Sequence, residues 1–165
     1  EQVVRQRDDI CSRFDAVMEH HGLEKIKTIG DAYMAVAGVP IVRTDHAPAI
    51  ARSALSMMEQ VTTLTWPNGD PVRIRIGIAS GPAVGGVSGK KEFAFDLWGD
   101  TVNTASRMES NSEPGRIRVT QQTFSLLCDD FHFDGPHTIE VRGKGPLDTW
   151  FLVGERSLAP NGRSG

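Results

Sequence analysis

Apolar residues recur at helical spacing in two long stretches of the chain. The first stretch, residues 1–21, predicts an amphipathic helix that ends at Gly22. The second, residues 45–63, predicts another helix with one apolar face. The expected buried positions are Ile10, Phe14 and Val17 in the first helix, and Ala47, Ile50, Ala51, Ala54, Leu55, Met58 and Val61 in the second.

Alternation of apolar and polar residues predicts strands in much of the remaining chain. The clearest case is residues 72–79, where four β-branched residues alternate with Arg, Gly and Ala. Turn residues punctuate the other segments. Further strands are predicted over residues 25–28, 32–37, 116–120, 131–141 and 149–153, a strand and hairpin turn over 81–89 leading back along 92–95, and short helices over 101–111 and 121–127.

Strands outnumber helices, which predicts an α+β fold with a mostly antiparallel sheet and helices packed on it. A chain of 165 residues can bury a proper core as one domain, which we expect over residues 1–157. Residues 158–165 are polar and contain Gly and Pro, so we expect a flexible tail there.

Charge and composition exclude several classes of function. The net charge of −3 does not indicate a basic surface that would bind nucleic acid. The two cysteines, Cys11 and Cys128, have neither metal-ligand nor disulfide-framework spacing, and they fit a reducing compartment. No apolar run reaches the length of a membrane span. We therefore expect a cytoplasmic domain; a membrane anchor or regulatory domain outside this sequence is compatible with that expectation.

Candidate chemistry concentrates in residues 95–109, where an aromatic strand end runs through a Gly turn into a helix. Asn103 and Arg107 stand four residues apart, so both project from one helical face. Asp96 precedes the turn. An amide and a guanidinium on one stripe beside an acid suit a site that binds a sugar and a phosphate.

This segment resembles the catalytic domain of the class III nucleotidyl cyclases, which make cyclic AMP or cyclic GMP. Two further family motifs occur in the family's order, at residues 24–34 and 142–145, and the similarity covers residues 1 to about 155. The resemblance implies a ferredoxin-like, palm-like βαββαβ core. It also implies an adenylate cyclase that converts ATP to cyclic AMP and pyrophosphate.

The resemblance implies that Lys27 and Asp96 read the base. Adenine offers an acceptor at N1 and a donor at N6, which a Lys donor and an Asp acceptor complement, whereas guanine presents the reverse. Guanylate cyclases of the family typically have Glu and Cys, or a similar residue, at the matching places. Without the family, a solvated strand lysine is the better interpretation of Lys27, and a cap of the following helix or turn is an equal alternative for Asp96.

By the same resemblance, Asn103 orients the ribose, Arg107 stabilises the transition state, and Lys144 contacts the triphosphate. Asp31, in a Gly-Asp turn, is the implied metal ligand. The alternatives left open are an ordinary hairpin turn at Asp31, an ion pair from Arg107 to a nearby Glu, and a simple hairpin lysine at Lys144.

Two divalent ions, Mg²⁺ or Mn²⁺, are the implied cofactors, since hard ions prefer carboxylate oxygens. The implied partner is a second copy of the chain, because the family shares its active site across a head-to-tail homodimer. One subunit supplies the metal carboxylates. The other supplies the two residues that recognise the base, Lys27 and Asp96 (called the base readers below), together with the Asn and the Arg.

One departure concerns the first metal carboxylate of the family, which lies in a Phe-x-Asp-Ile/Val-x-Gly-Phe strand. No such segment occurs here, so we expect a cyclase homology domain truncated at its N-terminus. The missing carboxylate makes a catalytically incomplete nucleotide-binding partner subunit one alternative to an adenylate cyclase. Guanylate cyclase, the near neighbour within the family, is the other alternative. The Gly-Gly-Asp/Glu-Glu-Phe hairpin expected of a diguanylate cyclase is absent from the sequence.

Overall fold

A computed structural model describes residues 1–88 and 94–157, and for residues 87–88 and 94–96 it describes the backbone alone. The predicted tail at residues 158–165 and the turn of the hairpin predicted near residue 90 lie outside the described residues. Four helices and eight strands are named below in chain order. The helices are α1 (Gln2–His21), α2 (His46–Thr62), α3 (Asp100–Ser110) and α4 (Gln121–Leu127). The strands are β1 (Glu24–Ile29), β2 (Ala32–Val36), β3 (Ile76–Ile78), β4 (Val84–Ser88), β5 (Ala94–Trp98), β6 (Ile117–Thr120), β7 (Phe131–Val141) and β8 (Gly145–Glu155).

The strands form a four-stranded sheet of order β3-β6-β8-β7 and two separate hairpins, β1-β2 and β4-β5. Only the β3–β6 pairing is parallel among the paired strands that the structure describes. The prediction of an α+β fold with mostly antiparallel pairing is therefore confirmed. The antiparallel pairing is divided over three sheets.

The main core lies between one face of the four-stranded sheet and the helices α2 and α4. A second cluster lies beneath α1, where Ile10 and Phe14 meet Val61 and Val72. The expected apolar face of α2 packs as predicted, and Ala49 and Ser53 are buried beside it. Small residues there let α2 pack closely against its neighbours.

The ends of two helices follow local chemistry. Gly22 ends α1 in the left-handed conformation with a φ of 69°, as the sequence predicted. Arg43 donates to the carbonyl oxygens of His21 and Gly22 at the end of α1. It also forms a bidentate ion pair with Asp45, the residue before α2. The Thr120 side chain accepts from the amide of Thr123 and caps α4.

The strand predicted over residues 72–79 is shorter in the structure, where β3 covers only Ile76–Ile78. Val72 and Ile74 leave the sheet and pack in the cluster under α1. The amide of Val72 donates to Leu64, and the carbonyl of Ile74 accepts from Gly115. Alternation of apolar and polar residues indicates that one side of the segment is buried. Loop residues that pack into a second core show the same alternation as a strand.

No helix within residues 1–88 or 94–157 is long and apolar enough to cross a lipid bilayer.

Candidate active site

Helix α3 carries Asn103 and Arg107 on one face, as the sequence predicted. Gly99 begins the helix with a φ of 121°, a conformation that favours glycine. Asn103 is exposed and Arg107 is half-buried. Within the described part of the chain, the Arg107 guanidinium makes no hydrogen bond or ion pair. The ion pair from Arg107 to Glu109 that was left open is not formed, because Glu109 pairs with Arg75 at 3.0 Å.

A close contact with β3 fixes the height of α3 above the sheet. A Cβ atom on Gly77 would lie 2.1 Å from the Glu109 amide nitrogen and 2.5 Å from the Ala105 carbonyl oxygen. Any side chain at residue 77 would therefore push the helix away. In the sequence, Gly77 looks like an ordinary member of an alternating strand, although a glycine inside a strand often marks close backbone approach.

Buried Arg118 holds the other end of α3. Its Nε donates to the carbonyl oxygen of Asn111 at 3.0 Å, its Nη1 donates to the Thr149 hydroxyl, and its guanidinium lies 4.3 Å from the centre of the Phe151 ring. Burial lowers the pKa of Arg118. The ring and the two acceptors replace part of the water that this charge has lost.

Lys144 reaches the first residue of α3. Its Nζ lies 2.8 Å from each carboxylate oxygen of Asp100, and the two residues are 44 positions apart in the chain. The lysine stands in the turn between β7 and β8, flanked by Gly143 and Gly145 with φ values of 84° and 75°. Asp100, Asn103 and Arg107 follow one helical stripe, so the contact brings Lys144 to the face predicted to act on the nucleotide.

Lys27 lies on β1, half-buried, at a point where the pairing with β2 shifts register. Strand β1 lies against β5, which contains Asp96 opposite Gly86 of β4. The two predicted base readers are thus on neighbouring strands. The side chain of Asp96 lies outside the described residues, so its predicted pairing with the base remains a prediction.

Asp31 is exposed in the turn between β1 and β2, after Gly30 with a φ of 60°. Within the described residues its carboxylate has no hydrogen bond or ion pair. No group of three or more His, Cys, Asp or Glu side chains in that part of the chain is arranged to hold a metal ion. The predicted role of Asp31 as a metal ligand therefore remains a prediction.

A polar contact ties the β1–β2 hairpin to α1. The Tyr33 hydroxyl donates to Asp15 at 2.5 Å, and Lys25 lies 3.3 Å from the same carboxylate. The Tyr33 ring packs edge-on against Phe14 at 5.6 Å between ring centres. Burial, and then the hydrogen bond to Asp15, raises the pKa of Tyr33. The hairpin that carries Lys27 is therefore held to the helix by charge and packing together.

Three positions that support the site were missed from the sequence, namely Gly77, Asp100 and Arg118. An acid at the first position of a helix is favoured by the helix dipole, and that signal was present at Asp100. No local pattern could have revealed the lysine that it binds. Arg118 looks from the sequence like any exposed residue of an alternating strand.

Comparison with known proteins is consistent with this geometry. Residues 1–154 match the family model described as the adenylate and guanylate cyclase catalytic domain. An adenylate cyclase of Mycobacterium bovis is 46% identical over 160 residues, which cover 97% of this chain and 36% of that protein. The chain thus spans about a third of the length of that relative.

Solved structures of similar domains share the fold. The guanylate cyclase domain of RhGC from Catenaria anguillulae in complex with GTP superposes with a TM-score of 0.85 at 38% identity, over 90% of this chain and 82% of that one. The catalytic core of a rhodopsin-guanylyl cyclase with converted specificity, in complex with ATPalphaS, gives a TM-score of 0.86 at 38% identity, over 93% and 83%. The palm-like architecture expected from the motifs is therefore confirmed.

Proposed function

Because this chain belongs to the family of adenylate and guanylate cyclase catalytic domains, we propose that it converts ATP into 3′,5′-cyclic AMP and pyrophosphate. The ribose 3′-hydroxyl attacks the α-phosphate in line: its proton passes to water, its oxygen bonds to phosphorus, and the bond from phosphorus to the leaving pyrophosphate breaks. Negative charge grows on the phosphoryl oxygens and on the leaving group. A protein accelerates such a step mainly by positioning and electrostatics.

The observation that carries the choice of ATP is the pair of residue types on two neighbouring strands, Lys27 on β1 and Asp96 on β5. A lysine ammonium donates to N1 of adenine, and an aspartate accepts from its 6-amino group. Guanine would set donor against donor and acceptor against acceptor, and unpaired buried polar groups discriminate strongly. The 46% identity to a protein named adenylate cyclase supports the same choice.

Arg107 is the residue we propose for the charge that develops on the α-phosphoryl oxygens. Its guanidinium has no ion pair with another described residue, so a phosphate would not compete with an internal carboxylate for it. Asn103, one turn earlier and exposed, is the residue that we propose to orient the ribose through its amide. Lys144, beside the same helical stripe, is the proposed contact for the phosphates of the nucleotide beyond the α-phosphate.

Asp31 is proposed as one carboxylate ligand for a divalent ion, Mg²⁺ or Mn²⁺, which would neutralise triphosphate charge. The resemblance implies two such ions. Since no group of three or more candidate ligands occurs within the described residues, we assign no step of the reaction to the ions.

We further propose that two copies of the chain share each site. Within the described residues, Asp31 makes no hydrogen bond or ion pair with α3, so a second copy is the source proposed to bring this carboxylate to Asn103 and Arg107. The loop after β2 also exposes 79% of Ile41 and 85% of Val42, which is apolar surface suited to a protein partner. A head-to-tail arrangement would give a homodimer with two sites.

The proposed location is the cytosol, where ATP is available. Both cysteines, Cys11 and Cys128, are free thiols, which fits a reducing compartment.

Two alternatives have specific support. A guanylate cyclase is favoured by the likeness to the domain solved with GTP. A catalytically incomplete nucleotide-binding partner is favoured by the incomplete metal site within the described residues.

Incubating the full-length protein with ATP or GTP in the presence of Mn²⁺, and identifying the product, separates the three functions. Cyclic AMP from ATP supports the proposal. Cyclic GMP alone would replace it with guanylate cyclase. Nucleotide binding without any cyclic product would indicate an incomplete partner.

A further inference from the structure

The Lys144 ammonium, which is proposed to bind the triphosphate, forms an ion pair with Asp100. The ammonium lies 2.8 Å from both oxygens of the carboxylate, so each charge is compensated by the other. The lysine side chain is 31% exposed and the aspartate side chain is 77% exposed. Solvent and solutes therefore reach this pair directly.

Asp100 stands at a position of the helix that favours a negative charge. It is the first residue of α3, where free backbone N–H groups and the helix dipole favour a negative charge. A triphosphate that approaches the same helical face brings a larger negative charge. While the lysine keeps both short contacts to Asp100, only one of the three N–H groups of its ammonium is left to donate to a phosphate oxygen.

We propose that Asp100 sets the affinity of the site for triphosphates by holding Lys144 until a phosphate chain displaces it. The inference rests on the proposed function, since it takes Lys144 as a phosphate contact. Asp100 acts through the lysine and touches no reacting atom. Exchange of one exposed ion pair for another changes affinity only moderately, so the effect is a tuning of binding.

The test measures dissociation constants of the full-length protein for tripolyphosphate and for 3′-deoxy-ATP, which lacks the attacking hydroxyl. We expect Asp100→Asn to tighten binding of both about three- to fivefold, the size of one exposed ion pair. Lys144→Met should weaken both. In the Lys144→Met background, Asp100→Asn should give almost none of its gain, because the residue through which it acts is gone.

Asp148→Asn is the matched control, since Asp148 is an exposed carboxylate on the same β7–β8 hairpin that accepts from Thr138 at 2.7 Å. It should leave both constants unchanged. An equal gain from Asp148→Asn, or an equal gain from Asp100→Asn with and without Lys144, would show that general charge repulsion is responsible and would overturn the proposal. Weaker binding by Asp100→Asn would also overturn it, since Asp100 would then hold the lysine in its binding position.

Product formation is measured separately, as the KM and kcat of the reaction with ATP. Asp100→Asn should lower KM and leave kcat no higher than in the unchanged protein. Failure of the unchanged protein to form any cyclic nucleotide would reject the proposed function. The two binding constants would still decide the role of Asp100.

Discussion

Gly77 of β3 and Glu109 of α3 approach so closely that the helix backbone occupies the place of a side chain at residue 77. A Cβ atom there would lie 2.1 Å from the Glu109 amide nitrogen. The contact sets where Asn103 and Arg107 stand relative to the four-stranded sheet. The geometry of the candidate site therefore depends on a residue that has no side chain.

Replacing Gly77 with alanine should displace α3 and reduce activity more than tenfold. The new methyl group meets backbone atoms that cannot rotate away, and overpacking of this kind costs about 1–3 kcal/mol of the free energy of unfolding. Thermal unfolding and turnover of ATP provide the two measurements. Gly154→Ala is the matched control, because a Cβ atom on that β8 residue meets nothing within 4 Å. Equal behaviour of the two variants would contradict the role of the close contact.

Replacing Arg107 with alanine should lower kcat about a hundredfold, the loss typical of one donor to developing charge, and leave KM for ATP nearly unchanged. The melting temperature should stay the same, since the guanidinium has no ion pair within the described chain. Arg75→Ala is the control, because it removes another arginine near the helix, one that forms an exposed ion pair with Glu109 of α3. A rise in KM without loss of kcat would indicate a role in ground-state binding.

Exchanging both base readers should change the preferred nucleotide. Lys27→Glu with Asp96→Cys removes the donor and acceptor that match adenine and supplies an acceptor for the guanine edge. The ratio of kcat/KM for GTP to that for ATP should rise in the double variant more than in either single variant. Unchanged selectivity for ATP would refute the base-reading roles.

Replacing Tyr33 with phenylalanine should cost about 1 kcal/mol of the free energy of unfolding, through loss of the hydrogen bond to Asp15. The pKa of Tyr33 is raised in the folded chain, so the neutral phenol stabilises the fold below the ordinary tyrosine pKa, near pH 10, and this contribution is lost as the pH rises above that value. Urea unfolding at pH 7 and at pH 10.5 checks this. The unchanged protein should lose more stability at the higher pH than Tyr33→Phe does.

Mixing two impaired variants tests the shared site. Asp31→Asn and Arg107→Ala should each keep only a small fraction of the original activity alone. In an equal mixture, random pairing should restore about a quarter of the original activity, because half of the dimers are mixed and each has one intact site. Activity of the mixture no higher than the sum of the separate variants would place both residues in a site within one chain. A variant pair on one face, Asn103→Ala with Arg107→Ala, is the control that should not complement.

Much of the fold could be predicted from neighbouring residues. The end of α1 at Gly22 and the start of α4 after Thr120 depend on capping within a few positions, and both were predicted. The stripe of Asn103 and Arg107 follows from helical spacing alone. The three motifs identified the family because they combine residue types and order along the chain.

The tertiary structure decided the features that join distant segments. Alternation predicted a strand from residue 72, yet packing under α1 takes Val72 and Ile74 out of the sheet. Asp100 and Lys144 meet across 44 positions of sequence. Local spacing dictates which face of a helix a residue occupies, whereas the partner of that face depends on the path of the whole chain. The sequence therefore determined which residue types are available for the proposed nucleotide site, and the folded chain decided which of them touch each other.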